Sequence, residues 1–300
     1  MGRFHPAPVA PATRRCRAQQ FLRFRRQQLQ PDFRAGGVMS LRFDVIGAGI
    51  ATTGLPDWQA LEAALDGHGL TEDRETPPSA LLSPRERRRA PRAAKISFAA
   101  AEQACAMAGL APSEPIAVFS SGMGDLDITD YMCRTLKDHP ELLSPTRFHN
   151  SVHNAASGYW SIGAGATGDV TAISGWRDSA TAGLLEALAR LTDSDKPVLL
   201  VVYDDLAQGP MRDLWPTEHA FSGALVLTRP GADRPLARLA ATTSSEPEDH
   251  GALPAALINR IPDNPAARLL PLLAMIARRG PAVTLASEQG PGLRISPVTT

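Results

Sequence analysis

Hydrophobic positions along the chain switch between two spacings, a run or alternation that suits strands and a three-to-four repeat that suits helices. RFDVIGAGIATTG (42–54) predicts a strand ending in a glycine loop. DWQALEAALD (57–66) predicts a short amphipathic helix with Asp57 as its N-cap. Residues 71–92 are polar, with two adjacent prolines and the run RERRR, and read as a loop leading to a helix. The alanine-rich stretch 93–109 is helical, with Gly109 at its C-cap. EPIAVFSS (114–121) reads as a buried strand opening into SGMGD, residues 124–138 as a short helix, and LSPTRFHNSVHNAASGYWSIG (143–163) as a loop entering a helix. In TAISGWRDSATAGLLEALARL (171–191) a short apolar run meets a tight turn and then a helix, with Leu184, Leu185, Leu188 and Leu191 at helical spacing. PVLLVVY (197–203) and FSGALVLT (221–228) are two more strands. The pattern weakens from about 229. Proline and polar residues fill 243–265, LLPLLAMIAR (269–278) is a helix with Pro271 near its start, and 281–296 supplies one or two edge strands.

Strands separated by helices imply an α/β fold, a mixed, mostly parallel sheet covered by helices on both faces. GAGIATTG places its third glycine at 54 rather than 52, so it is not a dinucleotide-binding fingerprint. No apolar run approaches the ~18–20 residues that span a bilayer. Cys16, Cys105 and Cys133 have neither paired nor metal-like spacing, and no secretory segment is evident, which makes a reducing cytoplasm the expected location. The net charge of zero conceals an asymmetry. Residues 1–38 hold eight arginines and one acid, leaving 23 basic and 30 acidic residues beyond them. That break marks 1–38 as a disordered basic arm or upstream sequence before a start at Met39. The acidic remainder argues against nucleic acid as a partner.

Four segments in order resemble the N-terminal half of a β-ketoacyl synthase of the thiolase-like superfamily. They are VFSSGMGDLD (118–127), SPTRFHNSVHNAASGYWSIGAGATG (144–168), GDVTAISGWRDSATAGLLEAL (168–188) and the strand VLLVVYDD (198–205). SVHNAASGYWSIG in particular resembles a divergent short branch that accompanies ketosynthases in aryl-polyene-type pathways. The resemblance implies the N-terminal half of a thiolase-like fold, with a ketosynthase-like domain over 39–240 and a short C-terminal extension of it over 241–300. It implies no cofactor and no metal. It also implies a dimer in which the strand before the active-site turn pairs with its mate.

Two departures change what the resemblance means. Ketosynthases carry their cysteine nine residues after the glycine matching Gly168, and that position is Arg177, which offers no nucleophile. The downstream histidines are also missing, since beyond the matched region, which ends at about 228, only His250 remains, in a polar stretch. The expected role is therefore a non-catalytic, chain-length-factor-like subunit. It would pair with an active ketosynthase in fatty-acid or polyene/polyketide synthesis and meet an acyl carrier protein through that complex.

The pocket or interface candidates are Asn154, Trp160, Ser174, Trp176, Arg177, Asp178 and Ser179. Arg177 and Asp178 could form a functional pair, Arg177 could close an acyl pocket or meet a carboxylate across a dimer interface, and the tryptophans could fill core or interface. Ser174 or Ser179 could serve a cysteine-independent decarboxylase or acyltransferase, given a positioned base. A stand-alone acyl-binding module is the third reading. His149 and His153 lie four apart without a third ligand, and are read as structural rather than metal-binding.

Overall fold

The computed structural model describes residues 40–70, 79–207, 209–250, 253–259 and 264–298. The expectation for the basic arm, and Cys16 with it, lies outside the described residues. Eight strands form one sheet: β1 (Ser40–Thr52), β2 (Ile116–Ser120), β3 (Val170–Ile173), β4 (Val198–Asp204), β5 (Phe221–Thr228), β6 (Ala237–Ser244), β7 (Val283–Leu285) and β8 (Gly292–Pro297). Their spatial order is β3-β2-β4-β5-β1-β6-β8-β7. The helices are α1 (Trp58–Leu65), α2 (Pro84–Arg89), α3 (Arg92–Ala108), α4 (Leu126–Asp138), α5 (Pro145–Asn150), α6 (Ala155–Ala164), α7 (Ser179–Asp193), α8 (Met211–Leu214), α9 (Ala255–Ile258) and α10 (Leu270–Arg278).

The sheet is mixed, as expected, but parallel pairing is confined to β3-β2-β4. The other ladders are antiparallel. "Mostly parallel" therefore describes strand direction around β2 and not the pairing of the whole sheet. The reason lies in the connections: β2 reaches β3 and β4 through helical crossovers, whereas β4 to β5 and β7 to β8 return without a long helix between them.

Both faces are covered. On one, Phe98, Ala101 and Ala104 of α3 and Trp160 of α6 pack on Phe119, Leu199, Val201 and Val226. On the other, Leu61 of α1, Leu184 and Leu188 of α7, and Leu272 and Leu273 of α10 pack on Val118, Leu200, Val202 and Leu225. Leu184, Leu188 and Leu191 are buried as their spacing predicts, but Leu185 turns outward and is 49% exposed. A step of about 100° per residue carries it off the apolar face.

Three local readings change. Gly47 and Gly49 lie inside β1, which runs on to Thr52 before the turn at Gly54. They let α3 lie directly on the strand: a Cβ at Gly47 or Gly49 would strike the carbonyl oxygen of Ala104 or Ala100, one helical turn apart. The RERRR run is a helix, α2, because Ser83 and Glu86 form a reciprocal cap and Pro84 occupies the first turn. The segment 143–163 holds a short helix, α5, ahead of α6. Elsewhere, Asp57 caps α1 by accepting from Ala60 N at 2.8 Å, and Gly109 closes α3 at φ 67°.

Gly49→Ala should therefore lower the unfolding free energy by about 1–3 kcal/mol through overpacking against α3. Gly158→Ala, in α6 with open space around it, should leave stability unchanged or raise it by up to about 1 kcal/mol. Urea denaturation of the two variants distinguishes these outcomes.

Candidate functional site

The parallel strands β2, β3 and β4 end on the same side of the sheet, and the turn 174–179 follows β3 there before opening α7. Gly183 of α7 sits over Ser120 so closely that a Cβ would lie 2.6 Å from the Ser120 Cβ. Ser120 Oγ donates to Ser179 O at 2.7 Å. The helix start is thus pinned to the end of β2.

Within the turn, Ser179 is fully buried; its Oγ donates to Trp176 O at 2.7 Å and accepts from Gly175 N at 3.0 Å. Ser174 is exposed; its Oγ donates to Gly122 O at 3.1 Å and accepts from Trp176 N at 3.4 Å. Neither serine has a base on its hydroxyl. Trp176 adopts φ 56°, a left-handed conformation unusual for a bulky residue, and leaves its indole 48% exposed.

Asp178 does not pair with Arg177. It is buried and accepts from Ser287 Oγ at 2.8 Å, Glu288 N at 3.0 Å and Gln289 N at 3.2 Å, with Arg268 Nη1 at 3.3 Å. Arg268 also meets Glu288 at 2.8 Å. The proposed Arg177–Asp178 pair is corrected accordingly: four donors from the C-terminal segment claim the carboxylate. Arg177 instead places its guanidinium 5.0 Å from the centre of the Trp215 ring, with Trp176 packed edge-on against the same ring at 4.5 Å.

The remaining candidates do not join the turn. Trp160 is fully buried beneath the sheet, edge-to-face on Phe98 at 5.1 Å, and is core rather than pocket or interface. Asn154 is an exposed N-cap of α6 without a side-chain bond to the helix. His149 Nδ1 lies 3.2 Å from Asn150 Oδ1, and His153 Nε2 lies 3.1 Å from Ser121 O, so the two imidazoles serve separate local contacts. Cys105 lies buried in α3, where burial pushes its thiol up to about 12, and Cys133 is exposed on α4.

The sequence reading missed the residues that build the floor of the site. Asp204, at the end of β4, accepts from Ser121 Oγ at 2.7 Å, Gly122 N at 2.9 Å and Met123 N at 3.2 Å, shaping the loop beside the turn. Burial raises its carboxyl to about 6, against those hydrogen bonds, which favour the charged form. Asp205 beside it is also raised to about 6 by burial, with Arg92 at 3.2 Å opposing. Asn264 Nδ2 donates to Asp204 O at 3.2 Å and to His219 O at 2.8 Å, drawing a third segment in. Two acids ending an otherwise apolar strand, VLLVVYDD, were the one visible signal.

A three-layered α/β sheet with a tight turn carried on the start of a helix at the strand ends defines a thiolase-like, ketosynthase-type protein. The chain belongs to the family of the beta-ketoacyl synthase N-terminal domain, whose profile matches residues 58–279, nearly three quarters of its length. No curated protein matches it. Among solved structures it is similar to a chain of the ketosynthase ApeO in complex with its chain length factor ApeC from Xenorhabdus doucetiae, at TM-score 0.65 and 22% identity over 85% of this chain and 99% of that one. A chain of the AntDE:AntF complex, a type II PKS acyl-carrier protein with its ketosynthase, matches at TM-score 0.63 and 13% identity over 87% and 100%. A chain of the ishigamide ketosynthase/chain length factor matches at 0.55 and 16% over 75% and 72%. At these identities the likeness is one of fold. Among the described residues no helix is long and apolar enough to cross a membrane.

The raised Asp204 has a definite consequence for stability. Its folded pKa exceeds the ordinary 3.8, so its proton stabilises the fold below about pH 4, and that contribution is lost as the pH rises through about 6. The stability difference between wild type and Asp204→Asn should therefore shift against wild type by about 2 kcal/mol between pH 4 and 7, measured by urea denaturation at each pH.

Proposed function

We propose that this chain is a non-catalytic, chain-length-factor-like subunit that pairs with an active β-ketoacyl synthase acting on acyl chains borne by an acyl carrier protein. The observation that carries the reading is Arg177, in the turn at the start of α7, where the family resemblance puts the ketosynthase cysteine. An arginine can neither accept an acyl group there nor be deprotonated to do so. The two cysteines among the described residues lie on α3 and α4, away from this turn.

The fold neighbours support the pairing. Two of them are described as ketosynthase complexes with a chain length factor, and a third as a ketosynthase with an acyl-carrier protein. The sheet supports it as well. Its β7 end is covered, since Asp249 N donates to Thr284 O at 3.3 Å and all of β7 is buried. Its β3 end pairs with β2 alone. An uncovered strand edge is a template for a further strand. Around it stand exposed apolar side chains, Trp176 and Leu185 beside the turn and Ile162 on α6.

The serine-dependent alternative gains nothing from the geometry. Ser179 is consumed in closing the turn, and the Ser174 hydroxyl is bonded to a carbonyl rather than a base.

Co-expression with a ketosynthase from the same genome, followed by native mass spectrometry, tests the proposal. A one-to-one complex is expected. On incubation with an acyl-carrier-protein thioester the acyl group should appear on the ketosynthase and not on this chain. An acyl ester on Ser174, or a stable chain that ignores the ketosynthase, would overturn the proposal.

A further inference from the structure

The turn leaves one strong donor without an acceptor. Ser174, Asp178 and Ser179 are each bonded within the fold. Arg177, half-buried, makes no hydrogen bond or ion pair among the described residues; its one polar contact is the face of Trp215. The nearest acid in sequence, Asp178, is already taken by Arg268 and the 287–289 segment. Trp215 is itself 3% exposed, and its Nε1 also lacks an acceptor. Neither donor has a hydrogen-bond acceptor among the described residues.

In an isolated chain the Arg177 guanidinium has only water to serve it. A guanidinium carries five N–H donors, and those of Arg177 are open to solvent, free to take an acceptor from outside the chain. The contact with the Trp215 face holds the guanidinium in place without using its N–H donors. Trp176, strained to φ 56°, holds an apolar surface open beside it. Arginine and tryptophan together are the side chains most enriched where protein partners bind tightly. The turn begins immediately after Ile173, the last residue of β3, whose outer edge is unpaired among the described residues. A strand arriving at that edge would bring its neighbouring side chains to Arg177.

We infer that Arg177 receives a carboxylate from the ketosynthase subunit, with Trp176 covered in the same contact. The inference rests on the proposed pairing and names the chemistry of one point within it. An arginine in place of the nucleophile is then a recognition residue: it exchanges a covalent role for a charge that only an acidic partner side chain satisfies. A charge-assisted bond of this kind also favours pairing with the ketosynthase over any partner that lacks the acid.

The test is the affinity of the full chain for the co-purified ketosynthase, measured by titration calorimetry at low and high salt. Arg177→Gln should weaken the complex by about tenfold or more and flatten its salt dependence. Arg177→Lys should fall between, keeping the charge but losing the planar stack. Arg177→Glu should be weaker than Arg177→Gln. Thermal unfolding of each variant alone should match wild type; if Arg177→Gln does not fold, the comparison of wild type with Arg177→Lys reads the same contact. A wild-type complex indifferent to all three changes overturns the inference and leaves the pairing intact. A wild-type chain that forms no complex overturns both.

Discussion

The buried carboxylate of Asp178 is the constraint around which the site is arranged. An ionised group withdrawn from water is tolerated only when its oxygens are fully engaged. Asp178 meets that condition with the Ser287 hydroxyl, two backbone N–H groups and the Arg268 guanidinium, all 90 or more residues away in sequence. Because it sits directly before α7, the same bonds fix the start of that helix to the connection between β7 and β8. Thr181, one turn further on, repeats the attachment by donating to Ala286 O at 3.0 Å. The C-terminal strands are therefore part of the site and not merely an extension of the sheet.

Asp204 applies the same rule to the opposite wall. It gathers the loop after β2 onto the end of β4, and Gly122 in that loop approaches the turn so closely that a Cβ would lie 2.9 Å from Trp176 O. Two buried acids, one from β4 and one from the turn, hold the ends of three parallel strands in register with a helix N-terminus. That is the place where open α/β sheets put their chemistry.

What could be read in advance divides along the range of the interactions. The alanine repeat and Gly109 define α3 within one segment, and the apolar run of β4 needs no partner to be recognised. The turn at 174–179 was legible because its strand-turn-helix pattern is local. Gly47 and Gly49 misled because their meaning lies in α3, more than fifty residues away, where a helix needs room to lie on a strand. Trp160 stood in a matched motif yet belongs to the core, since burial depends on which face of α6 meets the sheet. Asp204, Trp215 and Arg268 carried almost no local signal. Each acquires its role only when the chain brings together segments that sequence keeps apart, and nothing in DLWPTEH anticipates a platform for an arginine.

The electrostatics of the turn bear on why an arginine stands there. A helix N-terminus presents partial positive charge, favourable to an anion by about 0.3–1 kcal/mol and unfavourable to a cation by a similar amount. A ketosynthase thiolate would gain from that field; Arg177 works against it and meets no carboxylate among the described residues to offset the loss. Stacking on Trp215 recovers part of this through the ring quadrupole, on the order of 0.5–2 kcal/mol, but leaves the guanidinium edge unsatisfied. A neutral residue of similar length would serve the isolated fold as well. The presence of a cation at the one point where the helix disfavours it, beside an open strand edge and an exposed indole, makes sense when the acceptor arrives on another chain.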